Sequence, residues 1–244
     1  MSKIVINDPY RLLTKAVPDL GFVYDENFLS AADCDELVAC FNRNMALAPD
    51  GTQTDEFFQN RFIWMPDIPL SDVHAKCIMQ SARDRCAERI QKFFKDQKPL
   101  WADSVQLVKW PPGQGMPSHA DNAEPDGRPH RTPYRKYASV VYLNGNYTGG
   151  ELFIKPLKIK IMPKKGLMIG FKGDFSHEHG VIPVKEGMRY TMPMWFSVDP
   201  EHQEREYAID YCALWKEAGG GKEDKLSVMH KLMQTVGLRK KENK

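Results

Sequence analysis

Residues 138–171 read ASVVYLNGNYTGGELFIKPLKIKIMPKKGLMIGF, four short apolar runs rich in β-branched and aromatic residues. Glycine, asparagine, proline and lysine stand between the runs, as is typical of the turns that join short strands. The apolar residues in this stretch show no helical period. The stretch therefore predicts consecutive short strands.

The same pattern extends on both sides of this stretch. Residues 105–110 precede it, and residues 180–184 and 189–198 follow it as further short apolar runs. Many short strands without intervening helices predict an antiparallel sandwich or barrel. We expect a mainly β fold with flanking helices (α+β), specifically a double-stranded β-helix, or jelly roll.

Helical signals flank the strand-rich region. Ser30 can cap a helix predicted over residues 31–45, and a second helix is predicted over residues 71–95. Residues 201–215 and 223–236 are also expected to be helical. We divide the chain, within a single structural domain, into three parts: an N-terminal helical support region (1–100), a strand-rich core (101–200), and C-terminal helices with a basic tail (201–244).

Composition places the chain among ordinary globular domains. Its 244 residues are 42% hydrophobic and 27% charged, which suits one packed core. A formal net charge of +2 is too small to favour non-specific binding to nucleic acid, so we expect no such partner. The chain shows neither a long apolar span nor the apolar run of a signal peptide. We therefore expect no membrane association and a cytoplasmic location.

The five cysteines are odd in number and have no C-x-x-C spacing. Four of them, Cys34, Cys40, Cys77 and Cys86, fall in the predicted helices. This pattern argues against a disulfide framework and against a zinc knuckle, and a reducing compartment fits it best.

His119-Ala120-Asp121 is an H-x-D in a segment expected to be extended. Residues i and i+2 of a strand share a face, where an imidazole and a carboxylate can reach one ion. Composition alone makes one such triplet about as probable as not, so the motif needs support. His177-Glu178-His179-Gly180-Val181 follows 58 residues after His119, and Arg189 lies ten residues beyond His179.

Two imidazoles and one carboxylate with three open positions form the donor set used for non-haem Fe(II), which must hold a bidentate co-substrate and O₂ together. A zinc site is usually more closed. Arg189 heads a predicted strand and can bind a carboxylate through two nitrogens. His177 is the alternative to His179 as the second histidine ligand. In a purely structural interpretation, the histidines are core or turn residues and Arg189 pairs with an internal acid.

Several segments together carry a family resemblance. They are residues 118–122, 134–144, 149–152, 163–166, 179–181, 189–196 and 199–200. In combination they resemble the catalytic domain of the prolyl-hydroxylase superfamily of Fe(II)/2-oxoglutarate-dependent dioxygenases, and most of all the leprecan-type prolyl 3-hydroxylases. The resemblance covers about residues 104–200.

The resemblance implies roles for individual residues. His119, Asp121 and His179 match the iron ligands. Arg189 matches the basic residue that binds the C5 carboxylate of 2-oxoglutarate, and Tyr142 matches a strand tyrosine that shares this carboxylate. The implied cofactors are Fe(II), 2-oxoglutarate as co-substrate and O₂, with ascorbate as reductant. A carboxylate ligand occupies the position that a halide would need, so hydroxylation is expected rather than halogenation.

Three further residues concern the same pocket. Thr191 shares a strand face with Arg189 and can add a hydroxyl to the co-substrate site. Trp195 resembles a tryptophan that walls the iron pocket. Trp110 stands where the family often has a tyrosine, and its indole N–H can donate a hydrogen bond but cannot accept one.

The proline-rich and charged segment 123–136 is too long for a tight hairpin, and we expect it at the mouth of the barrel as a lid or specificity element. Residues 50–61 form a second candidate lip. The candidate substrate contacts are Asn122, Arg128, Arg131 and Trp195, with Arg135 and Lys136 as further cations of the same segment.

Three functional hypotheses remain. The first is a 2-oxoglutarate-dependent hydroxylase of a prolyl residue in a peptide or protein, which forms succinate and CO₂ as co-products. The second is the same chemistry on a free amino acid or small natural product, which a deep closed pocket would favour. The third is a non-catalytic jelly-roll binding protein, which failure to bind Fe(II) would favour. The expected partner is thus a peptide or small-molecule substrate, and the oligomeric state is open.

Overall fold

The computed structural model describes residues 9–17, 19–49 and 59–220. Two β-sheets face each other, and helices cover the outer face of the larger sheet. The strands are β1 (Arg11–Leu13), β2 (Val23–Asp25), β3 (Phe62–Trp64), β4 (Trp101–Trp110), β5 (Met116–His119), β6 (Tyr137–Tyr142), β7 (Thr148–Gly149), β8 (Leu152–Ile154), β9 (Ile159–Ile161), β10 (Met168–Lys172), β11 (His179–Val181), β12 (Val184–Glu186) and β13 (Arg189–Ser197). The helices are α1 (Ala31–Arg43), α2 (Val73–Phe94) and α3 (Tyr211–Glu217).

The order of the strands defines the two layers. In the described part of the chain, the larger sheet has six strands in the order β2-β10-β6-β13-β4-β3, and the smaller has five in the order β1-β9-β8-β11-β5. A short β7–β12 ribbon lies beside them. Neighbouring strands are antiparallel except β1 and β9, which are parallel. The predicted mainly β fold with flanking helices is confirmed.

Strand β13 shows how the sheet separates two cores. Met192, Met194 and Phe196 point outward and pack under the helices. Because side chains alternate along a strand, the residues between them face the interior between the two sheets. Arg189 and Trp195 lie on that inner side, where Arg189 contacts Trp110 and Trp195 packs against the inner core. The alternation of side chains along β13 therefore places Arg189 in the interior between the two sheets.

The helices form where the sequence predicts them, with shorter ends. Ser30 caps α1 by accepting a hydrogen bond from the Asp33 N–H at 3.1 Å. Helix α2 ends at Lys95, whose φ of 54° is left-handed and cannot continue an α-helix. Of the described helices, none is long and apolar enough to cross a membrane.

The helix expected over residues 201–215 is wrong in its first half. Only Pro200–His202 form a single 3-10 turn before α3 begins at Tyr211. Glu206 has a left-handed φ of 62°, which interrupts a helix at that point. The predicted helix over 223–236 and the basic tail lie outside the described residues, as do residues 50–58 of the second lip. The three-part division of the chain stays a prediction.

The interpretation of the cysteines is also wrong in one respect. Cys77 of α2 and Cys212 of α3 form a disulfide, with 4.5 Å between their Cα atoms. The two residues are 135 positions apart, so their pairing depends on the packing of α3 on α2 and leaves no local spacing signal. Cys34, Cys40 and Cys86 are free and buried. Disulfides are rare in reducing compartments, so this bond does not favour one, and the location stays a prediction.

Candidate metal centre

The smaller sheet brings His119, Asp121 and His179 together. Strands β5 and β11 are antiparallel neighbours, and His179 lies directly opposite His119. One ligand atom from each of the three residues lies within 4.8 Å of the others. The Nε2 atom of His179 is 3.7 Å from Asp121 Oδ2, and that of His119 is 3.9 Å from Asp121 Oδ1. The three side chains surround a volume suited to one cation.

Both imidazoles are oriented by backbone carbonyls. The Nδ1 atom of His119 is 2.9 Å from the carbonyl of Pro117, and that of His179 is 3.0 Å from the carbonyl of His177. A carbonyl only accepts, so each Nδ1 carries the proton and each Nε2 presents its lone pair. Burial lowers the pKa of His179 to about 4, which keeps this imidazole neutral near pH 7.

His177 points away from this cluster. Its Nε2 lies 2.9 Å from the carbonyl of Gly21, and its Nδ1 lies 2.9 Å from Ser176 Oγ. Both ring nitrogens therefore already have partners outside the cluster. Of the two candidate histidines, the structure places only His179 in the cluster.

The Asp121 carboxylate fits a bound cation. The residue is 6% exposed, and its Oδ2 is buried without a hydrogen-bond partner in the described structure. Its Oδ1 accepts a hydrogen bond of 2.8 Å from the indole of Trp195. A buried carboxylate oxygen that lacks a donor is costly unless a cation compensates it. Asp121 and the two free Nε2 atoms match the donor set of a non-haem Fe(II) site.

Arg189 is a buried cation on the inner side of β13. It is 1% exposed, and its Nε and Nη1 atoms have no hydrogen-bond partner among the described residues. Its guanidinium lies 4.9 Å from the centre of the Trp110 ring and 5.3 Å from that of Tyr142. A buried guanidinium with unused N–H donors is suited to a carboxylate. The structure thus meets the requirement for binding one end of a dicarboxylate such as 2-oxoglutarate.

Two phenols lie beside this guanidinium. The hydroxyls of Tyr142 and Tyr147 are buried and have no partner in the described structure. Burial raises the pKa of both tyrosines, so both stay protonated and able to donate. The absence of a side chain at Gly150 lets Arg189 and Tyr147 pack against this backbone. A Cβ at Gly150 would lie 2.8 Å from Arg189 Cδ and 3.1 Å from Tyr147 Cε2.

Thr191 and Trp110 contact each other in this pocket. The indole N–H of Trp110 donates to Thr191 Oγ1 at 3.1 Å. Thr191 also lies opposite Tyr142 in the β13–β6 pair, and Trp110 lies opposite Arg189 in the β13–β4 pair. The single indole donor of Trp110 is therefore used, while the Thr191 hydroxyl keeps its own proton to donate.

The charged residues of the 123–136 segment have separate surroundings. Arg128 pairs with Asp126 at 2.6 Å and has a 76% exposed side chain, so it points into solvent. Lys136 pairs with Asp96 at 2.7 Å. Arg131 is exposed. Asn122 donates from Nδ2 to the carbonyl of Arg135 at 2.9 Å, which fixes the end of the segment.

Sequence reasoning missed Tyr147 and the pairing of Arg135. Tyr147 precedes the Gly149-Gly150 pair, and adjacent glycines are a general signal of close backbone approach. That signal could have drawn attention to the neighbouring side chain. Arg135 pairs with Asp103 of β4 at 2.7 Å, a contact between distant segments that no local pattern predicts.

Comparisons with known proteins agree with this geometry. Residues 105–197 match the family model described as the 2OG-Fe(II) oxygenase superfamily. Human prolyl 3-hydroxylase 1 is 26% identical over 160 residues, and the match covers 57% of this chain and 21% of that protein. The chicken (Gallus gallus) prolyl 3-hydroxylase 1 is 35% identical over 149 residues, covering 57% and 18%. The chain thus spans about a fifth of the length of the curated relatives that it matches.

Solved structures show the same fold. The viral collagen prolyl hydroxylase vCPH from Paramecium Bursaria Chlorella virus-1, in a 2OG complex, aligns with a TM-score of 0.52 and 24% identity, covering 72% of this chain and 95% of that one. A prolyl hydroxylase from Trichoplax adhaerens, in complex with a hypoxia inducible factor peptide fragment, aligns with a TM-score of 0.53 and 20% identity, covering 75% and 86%. The jelly-roll prediction is confirmed. Residues 105–197, which match the model of the 2OG-Fe(II) oxygenase superfamily, contain the His-Asp-His cluster and Arg189.

Proposed function

We propose that this chain is an Fe(II)/2-oxoglutarate-dependent dioxygenase that hydroxylates an unactivated C–H bond. One observation carries the proposal: a cation site and an anion site share the interior between the two sheets. Phe171 joins them, because its ring centre is 4.5 Å from that of His179 and it belongs to the same core as Tyr142. A metal and the dicarboxylate that chelates it need this combination.

The residues of the site have two roles, metal binding and co-substrate binding. Nε2 of His119, Oδ2 of Asp121 and Nε2 of His179 would hold Fe(II). Arg189 would bind the C5 carboxylate of 2-oxoglutarate, assisted by the hydroxyls of Tyr142, Tyr147 and Thr191. When bound, Fe(II) and 2-oxoglutarate would activate O₂, so that one oxygen atom enters the substrate and the other enters succinate, with loss of CO₂. The rings of Trp110 and Tyr142 keep water away from the guanidinium of Arg189 and strengthen its electrostatic contacts.

A prolyl residue of a peptide or protein is the proposed substrate. The curated relatives are prolyl 3-hydroxylases, and their matches cover 57% of this chain. The His119 side chain is 37% exposed, whereas that of His179 is 9% exposed, so the metal site faces solvent on the His119 side. A peptide can reach a metal site that is open to solvent, whereas a closed pocket would suit a small molecule. A free amino acid or small natural product remains the second candidate.

Within this proposal, the 123–136 segment contributes to specificity. Arg131 is exposed and would meet a charged group of the substrate. Arg128, Asn122 and Trp195 are the other candidate contacts. Asn122 and Trp195 already donate to protein acceptors, so we assign them to the support of the site. Ascorbate would serve as the reductant that keeps the metal ferrous.

Anaerobic titration of the purified protein with Fe(II) and 2-oxoglutarate tests the proposal. We expect a weak visible charge-transfer band in the wild type and none in His119→Ala. Succinate formation should then be compared for proline-containing peptides and for free proline. Peptide-dependent turnover supports the first substrate, and turnover with free proline alone supports the second. A folded wild type that binds no Fe(II) would make this a non-catalytic jelly-roll protein.

A further inference from the structure

The two oxygens of the Asp121 carboxylate have different surroundings. Oδ1 accepts the indole N–H of Trp195 at 2.8 Å. Oδ2 lies 3.7 Å from Nε2 of His179 and has no hydrogen-bond partner in the described part of the chain. Oδ1, which is also 3.9 Å from Nε2 of His119, is thus already a hydrogen-bond acceptor, whereas Oδ2 beside His179 is free to bind a cation.

The indole is itself held by a partly buried ion pair. The guanidinium of Arg135 lies over the Trp195 ring, 4.3 Å from its centre. Arg135 Nε donates to Asp103 Oδ2 at 2.7 Å, and these side chains are only 19% and 6% exposed. Asp103 belongs to β4, the strand that pairs with β13 beside Trp195. The guanidinium is thus fixed from a neighbouring strand, and a stacked cation restricts rotation of the indole.

Backbone contacts join the same segment to Asp121. Thr132 Oγ1 donates to the Asp121 carbonyl at 2.9 Å, and Asn122 Nδ2 donates to the Arg135 carbonyl at 2.9 Å. The Asp121 N–H donates to the carbonyl of Gly173 at 2.7 Å. A Cβ at Gly173 would lie 2.5 Å from the Arg135 carbonyl oxygen, so the backbones are in direct contact. Asp121 and the end of the 123–136 segment are therefore held as one unit.

We propose that Trp195 and Arg135 are positioning residues for the metal, acting in the series Asp103–Arg135–Trp195–Asp121. The series makes Asp121 offer Oδ2 alone to a divalent cation. A carboxylate can bind a cation with one oxygen or with both. Binding through both would fill one of the three positions that a bidentate co-substrate and O₂ require. The inference rests on the proposed function, because it concerns the same metal site.

Trp195→Phe tests the indole hydrogen bond while keeping an aromatic ring. Fe(II) alone should be titrated anaerobically into the metal-free full chain by calorimetry. We expect about tenfold weaker binding, the usual scale for the loss of a group that orients a metal ligand. The matched control is Trp64→Phe, on the edge strand β3, where the side chain is exposed and contacts Phe62. This control should bind Fe(II) as the wild type does.

Arg135→Lys tests the stacking of the Arg135 guanidinium on the Trp195 indole without changing the indole itself. Lysine can keep the ion pair with Asp103 but has no planar group to stack on the indole. We expect weaker Fe(II) binding, by a smaller factor than in Trp195→Phe. Because Arg135 acts through the indole, the double variant should bind no more weakly than Trp195→Phe alone. Losses that multiply in the double variant would contradict the series.

The visible spectrum of the Co(II)-loaded protein gives an independent readout. A change in Asp121 coordination alters the Co(II) bands, whereas a general loss of stability does not. We expect altered bands in Trp195→Phe and unaltered bands in Trp64→Phe. Wild-type Fe(II) affinity and bands in Trp195→Phe would overturn the positioning role and leave the proposed function intact. A wild type that binds neither Fe(II) nor Co(II) would overturn both.

Discussion

Gly150 lies directly against the side chain of Arg189, with space for no additional atom between them. A Cβ at Gly150 would lie 2.8 Å from Arg189 Cδ, which is closer than carbon atoms can approach. We therefore predict that Gly150→Ala moves the guanidinium and weakens binding of 2-oxoglutarate about tenfold, in keeping with the 1–3 kcal/mol cost of overpacking. Calorimetric titration of the Mn(II)-loaded protein measures this change.

Gly127→Ala is the control for Gly150→Ala. Both glycines have left-handed φ values, 77° at Gly127 and 69° at Gly150, so both alanines carry backbone strain. No atom lies within 4 Å of a Cβ at Gly127. Equal losses of 2-oxoglutarate affinity in the two variants would show that strain, not displacement of Arg189, is responsible.

Removal of the Tyr147 hydroxyl should also weaken the binding of 2-oxoglutarate. Its buried hydroxyl has no partner in the described structure, and its ring shares the space around Gly150 with Arg189. A hydrogen bond to a charged group contributes about 1.5–3 kcal/mol, so we predict at least a tenfold rise in the Kd for 2-oxoglutarate in Tyr147→Phe. Tyr190→Phe, whose hydroxyl donates to Asn42, is the matched control. An unchanged Kd in Tyr147→Phe would remove this residue from the site.

The Cys77–Cys212 disulfide should stabilise the folded chain. It closes a long segment, because the two cysteines are 135 residues apart. Such a crosslink lowers the entropy of the unfolded chain, with a typical effect of about 2–4 kcal/mol. We predict a lower Tm in dithiothreitol for the wild type and no response to dithiothreitol in Cys212→Ser. A wild-type Tm that does not respond to full reduction would show that α3 packs equally well without the bond.

Glu204 should make stability depend on pH. The residue is 6% exposed, its Oε2 accepts from the Val105 N–H at 2.9 Å, and its Oε1 has no partner among the described residues. Burial raises the pKa of Glu204 from 4.5 to about 7. The folded protein therefore keeps a proton that the unfolded chain releases, so stability falls as the pH rises through this range. The loss begins near pH 4.5 and is complete about one unit above pH 7.

Denaturant unfolding of the wild type and of Glu204→Gln at pH 5 and pH 8 measures this effect. Relative to the variant, we expect the wild type to lose about 2–3 kcal/mol between the two values, since each pKa unit corresponds to about 1.4 kcal/mol. Glu201→Gln, in the neighbouring exposed turn, is the control. An identical pH dependence in the wild type and in Glu204→Gln would contradict the assignment.

Local pattern predicted the features that depend on near neighbours in sequence. The strand period placed Arg189 and Thr191 on one face of β13, and the cap at Ser30 predicted the start of α1. The H-x-D spacing put His119 and Asp121 within reach of one ion. For His179, the family resemblance supplied what spacing could not, because its approach to His119 depends on the register of β5 and β11.

Features set by tertiary packing could not be predicted in this way. Cys77 and Cys212 meet only because α3 packs on α2. Glu204 leaves the expected helix because its carboxylate and its backbone bond to β4, where its N–H donates to the carbonyl of Ala102 at 2.8 Å. The link between Tyr147 and the co-substrate site is visible only in the structure, where Tyr147 and Arg189 pack against Gly150. In each case, the deciding contact joins segments whose proximity no sequence period encodes.

The pairing of β5 with β11 has a consequence for how the protein responds to its surroundings. His119 and His179 come from segments far apart in the chain, so the unfolded polypeptide cannot offer both to a cation without closing a long loop. A cation that binds this pair selects the native state and raises its stability by about 2.7 kcal/mol at a hundredfold excess over Kd. The supply of divalent metal would thus set the fraction of molecules that are folded.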